Sequence, residues 1–190
     1  MKALSVSLAA AVAFWCAAPA QSSILSLGNS LAQTCFDLAR SKVSTPFALE
    51  TCDRALSEEA LNFDDRVATL VNRGIVETLR HSYVQAARDF DLAIATDAKQ
   101  PEAWLNKAIL LIKQGQSISA MPLLEKAIAL KTSKPAVAYY MRSIANEDSG
   151  NVRAAYDDLV RARDLDPSWS VPARELQRYS VSRPTTGRSS

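Results

Sequence analysis

Three alanine pairs recur along this chain with the same internal spacing of seven: Ala86 and Ala93, Ala120 and Ala127, Ala155 and Ala162, displaced by 34 and then 35 residues. A large apolar residue, Phe90, Leu124 or Leu159, stands four positions after the first alanine of each pair. Small-x3-large-x2-small lines one face of a helix, with alanine where a neighbouring helix comes close and the large side chain filling the space beside it. A period in this range means stacked supersecondary units, because one such unit cannot bury its apolar face alone.

An upstream segment precedes each pair at a constant offset. It opens with Leu70, Trp104 and Tyr139 and places a small residue, Gly74, Ala108 and Ser143, four positions later. Between the two segments stand His81, Gly115 and Gly150. Glycine there suits a helix C-terminus because it takes positive φ without steric cost, and histidine tolerates that region better than most side chains. Each unit therefore reads as helix, tight turn, helix. Five glycines in 190 residues argue against a turn-rich β architecture, and the prevalence of Ala, Leu, Glu and Arg favours helix throughout. The fold class is all-α.

These residues carry a resemblance to the tetratricopeptide-repeat (TPR) family, whose repeat has an aromatic, a small residue four later, an alanine, a large residue and a closing proline. The unit Pro101-Glu102-Ala103-Trp104 to Ala108, Leu111, Gly115, Ala120, Leu124 and Ala127 matches best, and the next unit closes with Leu165-Asp166-Pro167. The departures are Ala98 and Thr132 at the proline position, Leu70 for the first aromatic, and Pro122 near the start of a second helix, a place tolerated only within the first turn. The resemblance implies a superhelix of antiparallel helical hairpins (an α-α superhelix) that binds protein partners. The chain divides into 1–20, 21–66 with a cysteine-containing hairpin, repeats over 67–100, 101–134 and 135–168, a capping helix within 169–179 expected from Pro172 to Tyr179, and a disordered tail over 180–190.

Residues 1–20 read as a secretory signal peptide: Lys2, an uncharged apolar run from Ala3 to Trp15, and the small-x-small end Ala18-Pro19-Ala20. The run is shorter than the roughly 20 residues that span hydrocarbon, so no stable membrane span is expected after cleavage near Ala20; a retained anchor and lipidation at Cys16 are the alternatives. Cleavage leaves Cys35 and Cys52, an even pair in a chain bound for an oxidising compartment. Helices over Ser30 to Arg40 and Pro46 to Leu56, folded back through Ser41 to Thr45, would let the pair meet as a disulfide; two buried free thiols are the other reading.

Little chemistry is offered. One histidine cannot build a His-based metal site. The carboxylate pairs Glu58-Glu59, Asp64-Asp65 and Asp157-Asp158 are sequence neighbours that diverge on a helix, so they read as solvated or helix-start acids. No phosphate loop or nucleophile elbow occurs, and the expectation is a protein that is not an enzyme and takes no cofactor or metal. Loss of Lys2 leaves 21 basic against 20 acidic residues, interspersed, with no footprint for nucleic acid.

The first helix of each unit carries a second apolar line: Val71 and Ile75; Leu105, Ile109 and Ile112; Tyr140 and Ile144. In a TPR-like superhelix first helices line the concave side, so these residues, with Asn72 and Asn106 placed like asparagines some TPR domains use on a peptide backbone, would form a groove for a protein or peptide partner in the cell envelope. The carboxylate-clamping subtype is not expected, because Val71 and Ile75 stand where its lysine and asparagine would be. Two alternatives stay open: the line packs against neighbouring hairpins, or the groove takes a small ligand or lipid.

Overall fold

The computed structural model describes residues 29–179; the leader and tail assigned above lie outside them. The described residues form helices alone: α1 (Leu31–Arg40), α2 (Pro46–Glu58), α3 (Phe63–Leu79), α4 (Tyr83–Thr96), α5 (Pro101–Lys113), α6 (Ser117–Ala129), α7 (Pro135–Asp148), α8 (Val152–Leu165) and α9 (Ser170–Leu176). The helices pair as antiparallel hairpins, α1 with α2, α3 with α4, α5 with α6 and α7 with α8; successive hairpins pack in chain order, α3 meets α5 as α5 meets α7, and α9 packs on α8. The result is a TPR-like superhelix.

Local chemistry starts and stops the helices where the hairpins need it. Ser30, Thr45 and Asn62 accept a hydrogen bond from a first-turn amide of α1, α2 and α3, and proline opens α2, α5 and α7, where its missing N–H has no partner to lose. Glu59, just past α2, also accepts from the amides of Leu31 and Ala32 at 2.6 and 2.9 Å, tying the start of α1 to the following linker. The four hairpin turns each hold one residue in the left-handed region: Lys42 (φ 57°), His81 (63°), Gly115 (75°) and Gly150 (79°).

All six repeat alanines are fully buried, with Phe90, Leu124 and Leu159 between them. A further series faces the preceding hairpin: Thr69, Ala103 and Ala138, and Val76, Leu110 and Ala145, all buried. Val76 joins the core of the cysteine hairpin, Leu110 that of α3 and α4, and Ala145 that of α5 and α6. Each unit thus lends its first helix to the core of the unit before it. Cys35 and Cys52 are disulfide-bonded, fully buried, and join α1 to α2.

Three expectations are corrected. Pro122 lies inside α6 as its sixth residue, beyond the first turn; the bond it cannot donate would reach the carbonyl of Ile118, and both residues sit on the exposed side, where water can take that carbonyl. Asp158 is buried, 4% exposed, because Arg142 crosses the hairpin to it through Nε and Nη2 at 2.8 and 2.7 Å and Asn146 donates at 2.9 Å. The last helix begins at Ser170 and ends at Leu176, which places Pro172 in its first turn.

Arg73 and Asp89 repeat the Arg142–Asp158 pair in the α3–α4 hairpin, with Nε and Nη2 donating at 2.8 and 2.7 Å, and Arg73 also reaches Asp53 at 2.8 Å. These bonds hold the Arg73 guanidinium well above its ordinary pKa. The middle hairpin has Lys107 and Leu123 at the matching positions, and Lys107 pairs with Asp91 of the preceding unit.

Gly74 is the smallest of the series Gly74, Ala108, Ser143 because its partner is the largest: a Cβ there would lie 2.6 Å from Phe90 Cε1. Phe90 is itself fully buried in the core of its hairpin. Gly74→Ala is therefore expected to cost about 1–3 kcal/mol by overpacking, against the roughly 1 kcal/mol that alanine gains in an unconstrained helix. The double variant G74A/F90L recreates the Ala108–Leu124 pairing. Thermal melts of both variants check the coupling: a double variant no more stable than the two single costs summed removes it.

Candidate functional site

The turn residues give the register of the concave face. Counting six positions back from Lys42, His81, Gly115 and Gly150 reaches Phe36, Ile75, Ile109 and Ile144; nine back reaches Gln33, Asn72, Asn106 and Met141. One row is apolar and the row beside it begins with three side-chain amides. Phe36 stays 41% exposed, and Asn72, Ile75, Asn106 and Ile109 are half-buried.

Two hollows open on this face. One, of about 350 Å³, lies over α1, α3 and α5 between Phe36, Asn72, Ile75, Asn106 and Ile109. The other, of about 310 Å³, adjoins it toward Val71, Gln100 and Glu102. Phe36, Asn72, Ile75, Asn106, Ser133 and Lys134 border both, so the two run together as one trough. A wider hollow of about 640 Å³ on the far side of Phe36 is lined by polar residues including Gln33, Glu59 and Asp65.

The asparagines are not equivalent. Asn106 Nδ2 donates to the Glu102 carbonyl at 2.8 Å, which turns its amide oxygen outward as an acceptor. Asn72 borders all three hollows, and among the described residues no hydrogen bond engages its amide, so both ends can serve a ligand. Glu102 belongs to the frame: its Oε1 accepts from the Thr132 hydroxyl at 3.1 Å and the Ser133 amide at 2.7 Å, fixing the loop that carries Lys134.

Of three residues expected on the open groove, Val71 borders the 310 Å³ hollow but is nearly all buried, and Leu105 and Tyr140 lie elsewhere. Val71 (4% exposed) shares a core with Ala103, and Leu105 (0%) with Ala138. Tyr140, at the same register, meets Trp169 edge to face at 5.0 Å between ring centroids, and burial raises its phenol pKa. This position faces the next unit, so the neighbour covers it in every hairpin. Ile112 and Ile144 are half-buried; Ile112 packs on the α5–α7 core and neither borders the trough. Of the expected set, the structure brings Asn72, Ile75, Asn106 and Ile109 together, with Val71 at the edge of the trough; Cys35 and Cys52 brace the helix that supplies Phe36. Phe36, Lys42, Lys113 and Lys134 were not among the expected residues, although counting back from the turns finds Phe36.

Among the described residues, no helix is long and apolar enough to cross a membrane, and no group of three His, Cys, Asp or Glu side chains is placed to hold a metal ion.

No protein-family model matches the sequence and no curated relative does. Solved structures do. MamA (residues 41 to the end) from Desulfovibrio magneticus RS-1 superposes with a TM-score of 0.60 at 22% identity, covering 78% of this chain and 82% of that one. A second MamA structure, MSR-1 C2, gives 0.60 at 15% identity over 78% and 82%. A third MamA structure gives 0.58 at 17% over 77% and 79%. At these identities the likeness is one of fold.

Proposed function

We propose that the chain is an exported TPR-like scaffold or adaptor whose concave face binds a protein or peptide partner in the cell envelope, and that it is not an enzyme. The observation that carries this reading is the continuous trough from Phe36 to Ile109: an apolar floor flanked by amides that can pair with a peptide backbone. A trough shared by three first helices spaced roughly 9 Å apart accommodates about six extended residues, whereas a small molecule is ordinarily enclosed on most sides. Export is supported by the leader pattern of residues 1–20 and by a buried disulfide, which persists in an oxidising compartment.

Photocrosslinking in intact cells tests the proposal. A photoreactive residue at Phe36 or Asn72 is expected to yield a discrete adduct, and one at Val84 or Ile118, exposed on second helices, is not. Phe36→Ala and Asn72→Ala are each expected to weaken binding of the captured partner roughly tenfold. Adducts from the second-helix positions alone would move the binding surface off the concave face.

A further inference from the structure

We propose that the segment held in this trough is acidic: a stretch of partner chain in which carboxylate side chains alternate with apolar ones, the apolar set resting on Phe36, Ile75 and Ile109 and the carboxylates on the rim. The inference rests on the concave-face reading above and adds the chemical class of the ligand. The hollow over α1, α3 and α5 is lined by Arg40, Lys42, Lys113 and Lys134 and by no carboxylate. These cations come from three separate places: the end of α1 with its turn, the end of α5, and the loop before α7. Among the described residues, Lys42, Lys113 and Lys134 form no salt bridge, and Arg40, whose guanidinium lies over the Phe36 ring, pairs with one acid, Asp37, at 3.5 Å. Glu102, in the adjoining hollow, is committed to Thr132 and Ser133.

Helix ends alone do not account for the cluster. Arg40 and Lys113 sit in the last turns of their helices, where the dipole favours a cation. Lys134 is the residue capping the N-terminus of α7, where the dipole opposes one, and its side chain makes no compensating contact with an acid. Lys42 occupies a left-handed turn position that glycine holds in two later hairpins. Lys134 thus stands where local structure disfavours a cation, and both it and Lys42 line the trough. The chain as a whole carries only +2, so four lining cations without a lining carboxylate are a local excess of positive charge, and a concave site strengthens the field of such an excess.

The field selects the occupant. Residues 180–190, with Arg183 and Arg188, and residues 1–28, with Lys2, contain no Asp or Glu and do not match it. A flat anionic bilayer cannot reach the floor of a trough between helices, whereas an extended peptide can.

Random peptides of about eight residues, displayed on phage and panned on the chain from residue 21 onward with Ile109→Asp as counter-selection, test the inference. Enriched sequences are expected to be net acidic and to bind more weakly as salt rises. K113E/K134E should weaken them about tenfold or more, and K126E, away from the trough, should leave them unchanged. Both lysines are exposed, and a melting temperature matching the parent confirms a folded double variant; K42A should show a smaller loss in the same direction. Enrichment of neutral or basic peptides that still need Ile109 overturns the acidic preference and leaves the concave-face reading standing. No enrichment above the counter-selection overturns both. Phosphatidylglycerol vesicles or a self-associated dimer, competing with the acidic peptides and lost in K113E/K134E, would assign the cations to a lipid surface or to a second copy and overturn the peptide.

Discussion

Truncating Phe90 to alanine is expected to lower the free energy of unfolding by about 3–5 kcal/mol, the range for removing a fully buried aromatic side chain and leaving a cavity. The ring lies against Gly74, with Val67, Leu70, Val71, Ala86 and Ala93 in the same core cluster. Ala103 and Leu110 of the next hairpin complete the same cluster. The cavity therefore opens at a seam between two units as well as inside one. In a linear array each unit is stabilised by its neighbours alone, so weakening this seam should broaden the denaturant transition in addition to shifting its midpoint. Urea unfolding followed by circular dichroism reads both quantities. A loss under about 1 kcal/mol with unchanged cooperativity would mean that the seam collapses around the missing ring, and the alanines would then carry the nesting without it.

That seam was partly legible in the sequence. Alanine at fixed spacing marks close helix approach, and the structure buries all six. The turns were legible too, since only a few residue types tolerate the left-handed region, and His81 joins Gly115 and Gly150 there. Period alone does not say which of two adjacent helical faces meets the next unit, because neighbouring residues differ by about 100° around the axis. Leu105 and Tyr140 were therefore expected one face away from where they pack, and Val71 reaches the trough only at its edge. The buried series Thr69, Ala103, Ala138 and Val76, Leu110, Ala145 repeats at the same spacings and would have resolved the choice. Phe36 escaped because 39 residues, in place of 34, separate Lys42 from His81, so the cysteine hairpin falls out of register. The Arg73–Asp89 and Arg142–Asp158 pairs span 16 positions across a turn and skip the middle unit, which leaves no local pattern to read.

Removing the disulfide, by reduction or as C35S/C52S, is expected to cost about 3 kcal/mol on the chain-entropy account, given the sequence separation of 17 between the cysteines. The loss should fall on the first hairpin. That hairpin has a neighbour on one side only, among the described residues, and its core is small: Ala39, Ala48, Ala55 and the bridge itself are fully or nearly fully buried, with Val76 entering from α3. The serine hydroxyls would add the penalty of polar groups in an apolar enclosure. Hydrogen exchange should show α1 and α2 opening well before α5 to α8. Because α1 supplies Phe36 and Arg40 to the trough, ligand affinity should fall as well, by the fraction of molecules whose first hairpin is open. A reduced chain that keeps its exchange protection in α1 and α2 would show that packing against α3 holds the hairpin unaided, and the bridge would then have no part in holding the trough.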